Sequence, residues 1–226
     1  MSTPLKLSPS DFAFLYQECK RCFYLKVVRK FNRPRSAMPG IFSVIDSRMK
    51  ECFHAERTEN IVGDLPPGQV AMGGKWVQSK PIEFPGSDTT IYIRGSFDTV
   101  LRFDDDTYAV IDFKTSRVKS SHVFTYSRQL HAYAYALENP APGKLHLSPV
   151  TKLGLLVYEP QDFANLGSGN ANLSGALSWM EINRDDTAFL KFLDKVRQIL
   201  ELPEPPPPSE KCLWCKYRDD SRELGL

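Results

Sequence analysis

The alternation of apolar and polar positions divides the chain into helical and extended stretches. Ser8 suits an N-cap and Pro9 a first helical position, and Asp11 three residues on completes a capping-box-like opening. Phe12, Leu15, Tyr16, Cys19 and Phe23 then recur with helical spacing. A second helix is predicted over residues 43–58, with Ile45, Met49 and Phe53 on its apolar face. Residues 75–84 read as a strand. So do 91–103 and 108–113, which flank the turn signal Asp104-Asp105-Asp106 and form a hairpin. A helix follows over 122–138 and an apolar strand over 152–158. The last helix starts at Asp185 or Asp186 and carries Phe189, Leu190, Leu193, Val196 and Leu200 on one side. Residues 167–175, rich in Gly, Ser and Asn, read as a surface loop. This order of elements predicts an α/β fold, a mixed central sheet flanked by helices.

Composition narrows the class. With 42% hydrophobic and 25% charged residues, a wholly disordered or collagen-like chain is excluded. No apolar run approaches the roughly 20 residues of a membrane span, so no membrane association is expected. The opening MSTPLKLSPS lacks the apolar region of a secretory signal, and a cytoplasmic location is expected. Residues 203–209 are proline-rich and read as a stiff extended linker. They separate a body, residues 1–202, from a C-terminal segment, 210–226, that joins the same domain through its cysteines. The net charge of +2 neither demands nor excludes nucleic acid, because a local basic patch matters more than the sum.

Candidate chemistry gathers at the hairpin. Asp112 and Lys114 lie two apart on a strand and share a face. A carboxylate and an ammonium at the end of an apolar strand are costly unless used. Strand pairing brings Asp98 towards Asp112, and two converging carboxylates suit a hard divalent ion such as magnesium or manganese. Lys114 would then orient a water or a phosphate oxygen. Gln129 and Tyr133, four apart, share one helix face. Asp104 to Asp106 read as a solvated turn, and Glu56 and Glu59 as solvated.

Five cysteines without an export signal disfavour a disulfide framework. Cys19 and Cys22 form one C-x-x-C pair, and Cys212 and Cys215 another. Each has the spacing to grip one metal or cluster. Joined, they would staple the first helix to the C-terminal tail, with zinc and iron–sulfur both open. Cys52 reads as a small buried side chain. A basic run over residues 26–35, containing Arg29, Lys30 and Arg33 with Tyr24 and Phe31 nearby, could track phosphates and stack bases. Arg117 and Lys119 could line the same channel.

Taken together, these motifs resemble the PD-(D/E)XK nuclease superfamily in its RecB-like branch, which includes the small exonucleases of CRISPR adaptation. Gly95-Ser96-Phe97-Asp98 resembles the second motif and Ile111-Asp112-Phe113-Lys114-Thr115 the third. Gln129-Leu130-His131-Ala132-Tyr133 resembles the Q-L-x-x-Y helix. The resemblance implies a restriction-endonuclease-like core and a metal-dependent nuclease, expected to act as an exonuclease on single-stranded DNA ends. It implies a metal site of Asp98, Asp112, the Phe113 carbonyl and a helical histidine, matched in position by His54. Lys114, Gln129 and Tyr133 complete the implied catalytic set. It also implies a [4Fe–4S] cluster, commonly held by one N-terminal and three C-terminal cysteines. Here the third C-terminal cysteine is absent, and Cys22 would replace it. Partners would be single-stranded DNA and proteins of recombination, repair or CRISPR adaptation. Two other readings are a catalytically silent nucleic-acid-binding or assembly module on the same fold, and a zinc-stapled interaction protein.

Overall fold

The computed structural model describes residues 3–34 and 37–225. Met1, Ser2 and Leu226, the outer limits of the predicted segments, and Arg35, the end of the basic run, lie outside the described residues. The N-terminal helical pattern forms three short helices rather than one. They are α1 (Pro9–Ala13), α2 (Leu15–Glu18) and α3 (Lys20–Val27). The break at Cys19, with φ −157° and ψ 108°, is extended backbone and re-aims the chain at the first member of the first cysteine pair. The Ser8 side chain makes no cap bond, and Asp11 pairs instead with Lys26 on α3 at 2.7 Å. Helix α4 (Gly40–Cys52) ends six residues earlier than predicted. Met49 is buried and Ile45 and Phe53 are partly buried, as its periodicity requires.

Two sheets follow. Strands β1 (Leu5–Leu7), β4 (Ile91–Ser96) and β3 (Trp76–Gln78) make a small sheet in the order β1-β4-β3. Strands β2 (Gly68–Gly73), β5 (Thr99–Phe103), β6 (Tyr108–Thr115), β7 (Val150–Gly167) and β8 (Asn170–Ile182) make the main one, in the order β2-β5-β6-β7-β8. Within the main sheet the β6–β7 pairing is parallel and the other three are antiparallel, so that sheet is mixed. The single strand predicted over 91–103 is therefore two strands in different sheets, parted at Phe97 and Asp98. Residues 75–84 keep only three residues of strand. The loop predicted over 167–175 is instead the tip of a long β7–β8 hairpin, whose turn at Ser168 and Gly169 has positive φ.

The parallel β6–β7 pair needs a crossover, and α5 (Ser121–Glu138) supplies it. Alternation along β6 sorts its side chains between two cores. Val110 joins the core beneath α5, with Leu130, Leu137, Leu153 and Leu155. Ala109, Ile111 and Phe113 join the opposite core, with Met49 of α4. Asp112 has the parity of Val110, so it is carried into the α5 side. Helix α6 (Asp186–Leu200) starts at Asp185, whose side chain accepts from the Ala188 N–H. It buries Phe189, Phe192, Leu193, Val196 and Leu200, while Leu190 is exposed. Residues 203–209 contain no helix or strand and lead to α7 (Leu213–Glu223).

Candidate active site and cysteine centre

Asp98 sits in the two-residue link where the chain leaves the small sheet for the main one. The approach is tight. A Cβ at Gly95 would stand 2.8 Å from Pro9 Cδ and 3.2 Å from Tyr133 Cε1. Asp98 Oδ2 accepts from the Phe113 N–H at 3.2 Å, which locks the link to β6 beside Asp112. Asp112 is 4% exposed. Its Oδ1 accepts from Gln129 Nε2 at 3.0 Å. Its Oδ2 has no hydrogen-bond partner and meets the Lys114 ammonium as an ion pair. Burial pushes the Asp112 carboxyl up to about 7. Lys114 works against that rise, and the neighbouring Asp98 charge adds to it. Burial opposes the Lys114 charge too, but Asp112 and Asp98 hold its pKa above the ordinary value.

Helix α5 presents a stripe to this pair. Tyr126, Gln129 and Tyr133 follow at spacings of three and four. The Lys114 Nζ lies 4.6 Å from the Tyr126 ring centroid, a cation–π contact. Gln129 steadies the aspartate rather than the lysine. Tyr133 donates to the Ser96 carbonyl at 2.7 Å and so braces the end of β4 before Asp98. The QLxxY pair thus positions the carboxylates.

Helix α4 brings two residues that the motif reading missed. Lys50 Nζ lies 2.8 Å from Asp46 Oδ2 and 3.1 Å from Asp98 Oδ1. Burial disfavours this ammonium, yet Asp46 and Asp98 raise its pKa above the ordinary value. A cation therefore already rests between two carboxylates at this site. Asp46, Asp98, Lys114, Phe14 and Tyr126 line a common concavity of about 460 Å³. The signal available in sequence was spacing: Asp46 and Lys50 are four apart on one helix face, with Lys50 next to Met49. His54 is not on the helix. It follows the last helical residue by two positions and is exposed. Among the described residues, neither His54 nor Asp46 joins Asp98 and Asp112 in a converging three-ligand group. The Phe113 ring enters the opposite core, and its N–H serves Asp98.

The basic residues separate in space. Arg29 and Arg117 are exposed, and the exposed Lys30 donates from Nζ to the Val27 carbonyl. Arg33 is drawn inward, to Glu18 at 2.8 Å and to the Cys212 sulfur at 3.1 Å. Tyr24 is buried and donates to the Leu202 carbonyl, so it offers no face to a base. Phe31 is 57% exposed. Cys52 is exposed, not buried.

The four other cysteines do meet. Cys19, Cys22, Cys212 and Cys215 are all buried, with their sulfurs within 4.8 Å of one another. Cys22 and Cys215 stand 3.5 Å apart, Cys22 and Cys212 3.7 Å, and Cys19 and Cys215 3.8 Å. One tetrahedral ion with metal–sulfur bonds of about 2.3 Å holds its sulfurs about 3.8 Å apart. A cubane places a separate iron behind each thiolate, so its sulfurs stand wider by an iron–iron edge. Burial would raise the Cys19 thiol, but the Ser209 and Cys22 backbone bring it down to about 7. Burial pushes Cys22 up against the pull of Arg33. It pushes Cys215 up too, with the neighbouring sulfurs adding to the rise. The centre ties the N-terminal helices to α7 across the linker, as the two pairs predicted.

A family model described as the PD-(D/E)XK nuclease superfamily matches residues 45–219. The chain belongs to this superfamily, and membership implies a metal-dependent nuclease. The match contains Asp46, Asp98, Asp112, Lys114, Gln129 and the C-terminal cysteine pair, but not Cys19 or Cys22. Among solved structures of similar fold is one described as "Crystal structure of SSO0001". It is 13% identical, with a TM-score of 0.50 over 91% of this chain and 81% of that one, a likeness of fold. No curated protein matches significantly. No helix among the described residues is long and apolar enough to cross a membrane.

Proposed function

We propose that this protein is a divalent-metal-dependent deoxyribonuclease that acts as an exonuclease on single-stranded DNA ends. The observation that carries the reading is Asp112 Oδ2, a buried carboxylate oxygen with no hydrogen bond, set beside Asp98 and Lys114. Asp98, Asp112 and Asp46 would hold the metal, and hard carboxylate oxygens suit magnesium or manganese. A metal held there supplies positive charge to the scissile phosphate and acidifies a bound water. Gln129 keeps Asp112 in one rotamer. Lys114, with its ammonium over Tyr126, is placed to hold a water or phosphate oxygen beside Asp112. Lys50, resting between Asp46 and Asp98, marks where a cation is favoured. Exposed Phe14, Phe42 and Met38 wall the concavity, which favours unstacked bases over a duplex. The preference for ends rests on the resemblance to the small exonucleases.

The cysteine centre we read as structural and of the single-ion type, with zinc as its occupant. The sulfur spacing supports this over a cluster. Elemental analysis and the visible spectrum of anaerobically purified protein separate the two. Zinc gives a colourless protein, and a [4Fe–4S] cluster a brown one.

The functional test is cleavage of end-labelled single-stranded DNA with magnesium or manganese, using Asp112→Ala and Lys114→Ala as controls. Metal-dependent release of short products, lost in both variants, is expected. Intact DNA binding without cleavage of any DNA or RNA would instead favour a silent binding module.

A further inference from the structure

The catalytic concavity does not end at the carboxylates. Phe14, at the joint between α1 and α2, lines both that concavity and a neighbouring one of about 540 Å³. Arg33 and Pro34 line this second one and also a third, of about 390 Å³, against the cysteine centre. Three depressions are thus chained through shared walls, from Asp98 and Lys114 to the outer side of Cys22. The chemistry changes along the way. In the middle, Asp11 is paired with Lys26 and Glu18 with Arg33, so charge is balanced over an apolar floor at Leu15.

The far cleft is different. Phe31, Trp214 and Tyr217 supply aromatic faces, Arg218 and Arg222 supply guanidinium groups, and Arg33, already paired with Glu18, lines it too. No carboxylate is among its lining residues. Asp219, just outside it, is shared by Arg21, Arg218 and Arg222 at 3.8, 3.7 and 3.9 Å, too long for any of them to be neutralised by a close pair. The Nε atoms of Arg33 and Arg218 are buried with no hydrogen-bond partner. Aromatic rings with surplus guanidinium charge match a stacked base with its phosphate. A duplex would present its bases already paired and stacked, leaving the rings without a partner.

We propose that a single DNA strand runs from the catalytic carboxylates past Phe14 and across Arg33 to this aromatic–arginine cleft. There one or more of its bases stack on Phe31 and Tyr217, and Arg222 holds a phosphate. The cysteine centre is then the rigid footing of a strand anchor, because it fixes α3 and α7 on either side of the cleft. This inference rests on the nuclease reading for the direction of the strand, but the cleft's affinity for DNA is measurable without cleavage.

The test uses the full protein with calcium in place of the activating metal, and fluorescence anisotropy of labelled oligothymidylates. Phe31, Tyr217 and Arg222 are exposed, so the triple variant Phe31→Ala/Tyr217→Ala/Arg222→Ala should fold, and unchanged metal content verifies it. Tyr217→Ala alone, at a ring 71% exposed, is the reserve should the triple variant lose metal. A long oligomer, about 20 nucleotides, should bind the triple variant about five- to one-hundred-fold more weakly. The slope of log affinity on log salt should become shallower by about 0.7, one phosphate contact on a single strand. A trinucleotide carries the bases and phosphate that the cleft takes, so its binding should weaken too. Equal binding of the long oligomer by the two proteins, or no binding of single-stranded DNA by the wild type, would each overturn the path. Loss of long-oligomer binding in the variant, in a wild type that cleaves nothing, would retain the anchor and discard the nuclease.

Discussion

Replacing Gln129 with Leu isolates the role of one hydrogen bond in the candidate metal site. The shapes are similar, so little cavity is created. What is lost is the Nε2–H donor to Asp112 Oδ1, together with Gln129 Oε1, which is buried without a partner. A buried carboxylate deprived of a donor loses about 1–3 kcal/mol. At 1.36 kcal/mol per pKa unit this raises the carboxyl by about one to two units. Asp112 starts at about 7 because burial and the Asp98 charge outweigh Lys114, so the variant should titrate at about 8–9. At pH 7 its ionised fraction falls from about half to about 1–10%. Metal competes with that proton, so apparent manganese affinity should fall about five- to fifty-fold at pH 7. The sign with pH is specific. The deficit is full below pH 7, shrinks as pH rises through the raised pKa, and closes above it. Calorimetric titration of manganese from pH 6 to 10 measures it. Thermal stability of the metal-free variant at pH 5 should be equal or higher, because the carboxyl is neutral there and the orphaned Gln129 oxygen is gone. An unchanged affinity, or a loss of the same size at every pH, would refute the reasoning.

Two further predictions separate the site from its surroundings. Asp46→Ala should weaken manganese-activated cleavage, with activation shifted about 10- to 100-fold in metal concentration, whereas His54→Ala should leave activation unchanged. The reverse result in a metal titration would return the ligand role to the histidine. His131 is buried and neutral, with Nε2 accepting from the Asp185 N–H at the start of α6 and Nδ1 against the Ser127 carbonyl. Burial lowers its pKa below the ordinary value, so its share of stability is present above about pH 6.5 and is lost as pH falls, with a slope of at most about 1.4 kcal/mol per pH unit. His131→Phe should flatten that part of the urea-unfolding profile between pH 7.5 and 5.5, and an unaltered slope would exclude this origin.

Periodicity and turn signals were enough for the hairpin, for α5 and α6, and for the mixed α/β class. They failed where the determining fact was non-local. Ile91 to Phe103 reads in sequence as one extended apolar stretch, and the competition of two sheets for its two halves parts it at Asp98. Gly167 to Gly175 has the composition of a loop, yet the long β7–β8 ladder extends through it, and its polar side chains follow from exposure on both faces. The N-terminal helix broke at Cys19 because four buried sulfurs had to meet. That constraint comes from residues some 190 positions away.

At the site, local pattern sufficed for residues on one element and not for residues set by packing. Asp112 and Lys114 share a face of one strand, and Gln129 and Tyr133 share a face of one helix, so short local motifs, read through the family resemblance, pointed to them. Which face of α4 meets the hairpin is decided by Met49 packing against Ile111 and Phe113. That choice turns Asp46 and Lys50 toward Asp98. His54, matched by position along the chain, lies past the end of α4 and is exposed. The same packing explains why Arg33 could not be placed from a run of basic residues. Its guanidinium lies against the Cys212 sulfur at 3.1 Å, where it would offset thiolate charge. Arg33 serves that centre and also stands at the mouth of the cleft leading to the carboxylates. One guanidinium thereby couples the integrity of the cysteine staple to the surface on which a DNA strand would lie. Loss of metal from the cysteines should for that reason weaken DNA binding even where Asp98, Asp112 and Lys114 remain in place.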